Sequence, residues 1–140
     1  MRVLALDYGS ARCGCALSDP TQTLATPIEA VTAPASRRGL SALQSLVAQH
    51  DVEQVVVGLP LSLSGGDSAQ TLEARGFAAR LGLRLGPGVV VELHDERFTT
   101  RLAQRSGGRS ASEDSRAAAH LLESWLARRR SSTSPTTPSG

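Results

Sequence analysis

Lysine is absent from the 140 residues, and all 15 basic side chains are arginine. That rules out the Lys-Ser/Thr signature of a nucleotide-binding P-loop, even at the glycine pair Gly65-Gly66. Aromatics are scarce, with only Tyr8, Phe77, Phe98 and Trp125 present. With two of the four expected in the core, stacking on unpaired bases is excluded as a main mode of recognition. There are only two cysteines, Cys13 and Cys15. Placed two apart on a strand they share a face, but their directions do not suit a disulfide. No Cys/His spacing of a zinc site exists, so two core thiols in a reducing compartment are expected. No stretch approaches the ~20 apolar residues of a membrane span. The opening apolar run is too short for a signal peptide and ends in an acid, Asp7. A soluble, cytoplasmic protein without a membrane partner follows.

The arginines are unevenly placed. Residues 1–93 hold seven Arg against eight acids, whereas residues 94–140 hold eight Arg against five acids. Arg97, Arg101, Arg105 and Arg109 follow one another with no acid between them. Guanidinium forks fit phosphate oxygens, so nucleic acid is the partner this half suggests. Residues 131–140 contain only Ser, Thr, Pro and Gly, which have little to bury, and are expected to form a disordered tail. Residues 1–130 then make one domain with a single core.

The apolar run at 3–6 reads as a central strand covered on both faces. A short turn leads to a strand at 13–18, which must be antiparallel to the first. Residues 26–31 supply a third strand, limited by Pro27. Leu40, Leu43, Leu46 and Val47 form a helical stripe between Ser36 and His50. The run at 55–57 is a buried strand ended by Gly58 and Pro60. A loop at 62–66 follows, and Asp67 or Ser68 caps a helix carrying Ala69, Leu72, Phe77 and Leu81. The run at 89–93 is a further strand. A short helix starts at Thr99 or Thr100 and ends at Gly107-Gly108. The last helix, about 113–129, buries Ala117, Ala118, Leu121, Leu122 and Trp125. The order is β-β-β-α-β-α-β-α-α. It predicts an α/β fold with a five-stranded mixed sheet, three antiparallel meander strands plus two parallel ones, and helices on both faces.

Three carboxylates stand in unusual places. Asp7 ends the central strand, where open α/β sheets place their ligands; the plainer reading is a turn in which Gly9 takes a positive φ. Asp95 and Glu96 end another strand, and alternation turns only one of them to the site. Asp114 extends the sheet-facing stripe of the last helix. Burying it costs several kcal/mol without a cation or hydrogen bonds, and the helix dipole returns only ~0.3–1 kcal/mol. Either an arginine or a shared metal ion is required. Oxygen-only donors suit Mg²⁺ or Mn²⁺.

These residues carry a resemblance. Asp7-Tyr8-Gly9-Ser10-Ala11-Arg12-Cys13-Gly14 resembles the "DxGxxRxG" opening of the YqgF/RuvX family, and Ser18-Asp19-Pro20 its "SDP". Val57-Gly58-Leu59-Pro60-Leu61 resembles "VGLPL", Asp95-Glu96-Arg97-Phe98-Thr99-Thr100 resembles "DERxTT", and Asp114-Ser115-Arg116-Ala117-Ala118 resembles the closing "DxxAA" helix. These motifs in order across residues 2–127 are specific where any one is weak. The resemblance implies a ribonuclease H-like fold and catalytic, metal-holding acids at Asp7, Glu96 and Asp114, selecting Glu96 over Asp95. It implies a hydrolase using two Mg²⁺ or Mn²⁺ ions. The substrate would be the 5′ end of pre-16S rRNA or, alternatively, a Holliday junction in DNA. A third reading is a non-catalytic nucleic-acid-binding or ribosome-assembly module. Cutting two symmetric strands of a junction calls for a homodimer, whereas rRNA trimming does not. Two departures bear on substrate grip: Ala11 stands where many members carry lysine, and the interval from Glu96 to Asp114 is short. On a helix Arg97, Arg101 and Arg105 align along one face to track a phosphate backbone, and Arg12 and Arg116 stand near the other two acids in sequence. Actin-like ATPases share an Asp-x-Gly first hairpin but need a second lobe, for which 130 residues leave no room.

Overall fold

Val3, Leu4, Ala5 and Leu6 are fully buried, and they receive cover on both sides as the centre of a five-stranded sheet. The computed structural model describes residues 2–9, 11–59, 69–95 and 111–133. The strands are β1 (Arg2–Asp7), β2 (Arg12–Ser18), β3 (Ala25–Thr32), β4 (Val52–Leu59) and β5 (Val90–Asp95). The helices are α1 (Arg37–Gln49), α2 (Ala69–Leu85) and α3 (Ala111–Thr133). The strands lie in the order β3-β2-β1-β4-β5. β1, β2 and β3 form the antiparallel meander, while β4 and β5 continue the sheet parallel to β1. The expected mixed sheet is the one observed. The expected loop at 62–66, the cap at Asp67 or Ser68 and the short helix from Thr99 or Thr100 lie outside the described residues. α3 runs three residues past the composition boundary at 130.

Strand alternation divides the core in two. Leu4, Leu6, Cys13, Cys15, Val55 and Val57 face α1 and α2, meeting Leu43, Phe77 and Leu81. Val3, Ala5, Ala16 and Val56 face α3, meeting Ala118, Leu121, Leu122 and Trp125. Both cysteines are free and buried on one face, as their spacing predicts. α2 departs from its expected stripe: Leu72 is 59% exposed, and the buried residues are Thr71, Ala74, Phe77, Ala78 and Leu81. A small-residue face sets that rotation, because Ala74 and Ala78 let the helix approach the sheet around Phe77. Ser36 caps α1 by accepting the N–H of Gly39 at 3.0 Å.

The β2–β3 turn is organised by one carboxylate. Asp19 accepts the N–H groups of Thr23 and Leu24, each at 2.8 Å, and that of Thr21 at 3.3 Å, together with the Thr21 hydroxyl. These donors favour the charged form, led by the Leu24 N–H, and hold the Asp19 pKa far below the usual carboxylate range. The "SDP" segment is therefore a turn device. Because folding lowers this pKa, its stabilisation is complete above the unfolded value of ~4 and is lost as pH falls below it. Asp19→Asn is expected to flatten the acid limb of a stability-versus-pH curve measured by urea unfolding and to lower stability by a constant amount above pH ~6.

Candidate active site

Asp7 ends the central strand, and alternation with Val3 and Ala5 turns it to the α3 side of the sheet. Its neighbour across the antiparallel pair is Gly14 of β2. A side chain at Gly14 would fill the space in which the first turn of α3 sits: a Cβ there would lie 1.9 Å from the Asp114 carbonyl oxygen and 2.9 Å from the Ser115 nitrogen. The start of α3 thus rests on bare backbone beside Asp7. Ser115, only 3% exposed, fastens this contact. Its hydroxyl donates to the Ile28 carbonyl oxygen of β3 and accepts the Cys15 N–H of β2 at 3.4 Å.

The Asp114 side chain is held from β2. Arg12 Nε donates to Asp114 Oδ2 at 2.8 Å, with the arginine side chain 38% exposed and the carboxylate 15%. The cation that burial of Asp114 demands is supplied here by a guanidinium. Under the sheet, a hydrogen bond with Cys15 and burial, followed by the charges of Cys15, Asp7 and Asp114, raise the Cys13 pKa well above the usual thiol value. Both acids therefore act on one buried atom, in keeping with their common neighbour Gly14. The thiol stays protonated and takes no part as a nucleophile. Arg12→Gln is expected to lower stability by about 1–2 kcal/mol, since the pair lies between the exposed and buried limits. A double-mutant cycle with Asp114→Asn, read by urea unfolding, is expected to show a coupling of similar size, whereas additive losses would deny the pairing.

The structure thus brings Asp7, Asp114 and Arg12 together. Arg116 is exposed, two residues beyond Asp114 and so roughly 200° round α3. Glu96, Arg97, Arg101 and Arg105 lie outside the described residues, where β5 has ended at Asp95. Gly9 corrects the turn reading, since its φ is not positive. It is needed for space, because a Cβ would come 2.7 Å from the Arg12 carbonyl oxygen. Sequence reasoning gave Gly14 and Ser115 no role of their own; the signals were the closing glycine of the "DxGxxRxG" motif and a polar residue at 115 in the sheet-facing stripe with Ala118 and Leu122.

Among the described residues no group of three or more His, Cys, Asp or Glu side chains could hold a metal ion. The described donors are two, Asp7 and Asp114, and both are carboxylates. The thiols of Cys13 and Cys15 belong to the opposite core. This oxygen-only pair fits a hard divalent cation and does not fit zinc. No helix among the described residues is long and apolar enough to cross a membrane.

The chain is similar to known proteins over nearly its whole length. It is 43% identical over 138 residues to a protein of Mycobacteroides abscessus named as a candidate pre-16S rRNA nuclease, covering 92% of this chain and 82% of that one. A protein of Maridesulfovibrio salexigens with the same name is 37% identical over 136 residues, covering 91% and 99%. Among solved structures, Thermus thermophilus RuvC in complex with Holliday junction substrate superposes with a TM-score of 0.57 at 16% identity, covering 92% of this chain and 96% of that one. At that identity the likeness is one of fold, and the fold is ribonuclease H-like. Residues 1–128 match the RuvX family, described as Holliday junction resolvase. The strand order, the site at the end of β1 and these matches together make the chain a member of the RuvX family.

Proposed function

We propose that this protein is a divalent-metal-dependent nuclease that hydrolyses phosphodiester bonds in structured nucleic acid, with 5′-end processing of pre-16S rRNA as its task. The observation that carries the reading is the seat of α3 on Gly14, which brings Asp114 beside the strand position of Asp7. Names shared by the relatives support the rRNA substrate. Asp7, Asp114 and Glu96 would hold Mg²⁺ or Mn²⁺, two ions in this reading. Alternation in an extended segment turns only one of Asp95 and Glu96 to a site, and the "DERxTT" resemblance selects Glu96. When bound, such cations supply Lewis acidity and charge neutralisation to phosphoryl transfer.

The chain's own groups do the rest. Asp7, on the central strand, presents its carboxylate at the middle of the site. Arg12 orients the Asp114 carboxylate through Nε and brings positive charge to the spot where a phosphate would sit. Arg97, Arg101 and Arg105 are proposed to follow the substrate backbone away from the cut. Hydrolysis with departure of the 3′ oxygen leaves a 5′-phosphate on the downstream fragment.

The test is Mn²⁺-dependent cleavage of a structured rRNA precursor beside a branched DNA. Cleavage of the precursor with a 5′-phosphate product, and with the junction left intact, is expected. Symmetric cutting of the junction would transfer the reading to resolution. Cleavage of neither substrate would make the protein a binding module.

A further inference from the structure

α3 crosses the sheet. It starts on Gly14 of β2 and Ile28 of β3, and further along Ser124 meets His94 of β5 (Oγ to Nε2, 3.2 Å) while Trp125 meets Glu92. The row Leu6, Val57, Leu93 in the sheet register puts His94 level with Asp7, two strands away. That is about 10 Å at the usual strand spacing. Beyond His94, at the edge strand, lies a recess of about 320 Å³ lined by Glu92, His94, Trp125, Arg128 and Arg129. It opens on the same side of the sheet as the candidate catalytic acids. The sequence there reads Arg128-Arg129-Arg130, a cationic run that the nuclease reading leaves unused.

The recess is organised for an anion. The acid among its described lining residues, Glu92, accepts from Gln54 Nε2 at 3.0 Å and from Trp125 Nε1 at 3.2 Å, one donor on each carboxylate oxygen. Those bonds fix the Trp125 ring, and the Arg129 guanidinium lies over it at 5.1 Å from the centroid. That cation–π contact restrains the guanidinium at the rim of the recess. Among the described lining residues, two arginines stand with one hydrogen-bonded carboxylate. Complementing the dipole at the end of α3 accounts for cations there, but not for an arginine held over a buried indole.

We propose that this recess is a second contact for the substrate's phosphate backbone, made by Arg128 and Arg129 away from the bond that is cut. It rests on the nuclease reading. From Asp114 to Arg128 is 14 residues of α3, about 21 Å. That corresponds to roughly seven to eight base pairs of A-form RNA duplex at ~2.8 Å each.

The probe is a fluorescein-labelled stem-loop RNA, bound without divalent ions so that cleavage does not intervene, with anisotropy read across a salt series. The double variant Arg128→Gln, Arg129→Gln is expected to raise Kd about tenfold and to reduce the salt slope by about 1.4–1.8, at ~0.7–0.9 per phosphate contact. Shortening the stem below about seven base pairs on the contacted side is expected to weaken the wild type by the same factor and leave the double variant unchanged. Arg128→Gln alone, which keeps the Arg129–Trp125 contact, is expected to reduce the slope by about 0.7–0.9. An unchanged slope in both variants, or equal sensitivity of wild type and double variant to stem length, overturns the proposal. If RNA cleavage still depends on Asp7 in that event, the nuclease reading stands without this recess; if the wild type binds no nucleic acid, both fall.

Discussion

Alanine at position 14 is expected to destabilise the protein by about 3 kcal/mol or more and to abolish activity in whatever fraction remains folded. A typical overpacked core site costs about 1–3 kcal/mol, because flexible side chains can move aside. Here the added methyl would meet backbone, the Asp114 carbonyl oxygen at 1.9 Å and the Ser115 nitrogen at 2.9 Å. Relief requires the first turn of α3 to rise from the sheet. That movement stretches the Ser115 bonds to β2 and β3 and pulls Asp114 from Arg12. Gly76 of α2 is the control, since a Cβ there has nothing within 4 Å. Gly76→Ala is expected to stabilise by about 0.5–1 kcal/mol through helix propensity alone. Urea unfolding of both variants makes the comparison. A Gly14→Ala protein with wild-type stability would mean that α3 does not rest on that glycine.

The second large effect is chemical. Asp7→Asn keeps the shape of the side chain and removes its charge, so cleavage is expected to fall by at least about 10²–10³-fold, or roughly 3–4 kcal/mol of transition-state stabilisation. Stability is expected to hold or rise slightly, because one of two like charges placed beside Gly14 is neutralised. Nucleic-acid binding without metal is expected to be unchanged or tighter, since a negative charge has left the site. Cleavage rates, urea unfolding and RNA anisotropy on one preparation separate these effects. Residual activity within about tenfold of wild type would remove Asp7 from the chemistry.

Local patterns carried most of the fold. The run Val3 to Leu6 announces a strand buried on both sides, the short link to Arg12 dictates an antiparallel neighbour, and the two-residue step from Cys13 to Cys15 puts both thiols in one core. Where the pattern misled, packing decided. Leu72 looked like part of the α2 stripe, yet the helix turns its small residues Ala74 and Ala78 inward. β4 begins earlier than its apolar run because Gln54 sits within it, bonded to Glu92 of the next strand. Asp7 and Asp114 were legible because each places charge at the end of an apolar pattern. Their mutual placement was not legible. Gly14 meets Asp114 across 100 positions, and the Arg12–Asp114 bond spans 102. No window of local sequence records what a glycine will face so far along the chain. The recess at Trp125 was hidden for the same reason, since Glu92, His94 and Arg128 meet only after α3 has crossed the sheet.

Calorimetric titration of Mn²⁺ into metal-stripped protein tests most directly whether Asp7 and Asp114 act as one centre. Wild type is expected to bind the ion, with Asp7→Asn and Asp114→Asn each weakening it by at least about tenfold, the lower end of losses seen even for groups supporting metal ligands. Mn²⁺ binding unchanged in both variants, whether tight or absent, would contradict the assignment of these carboxylates to a shared metal centre.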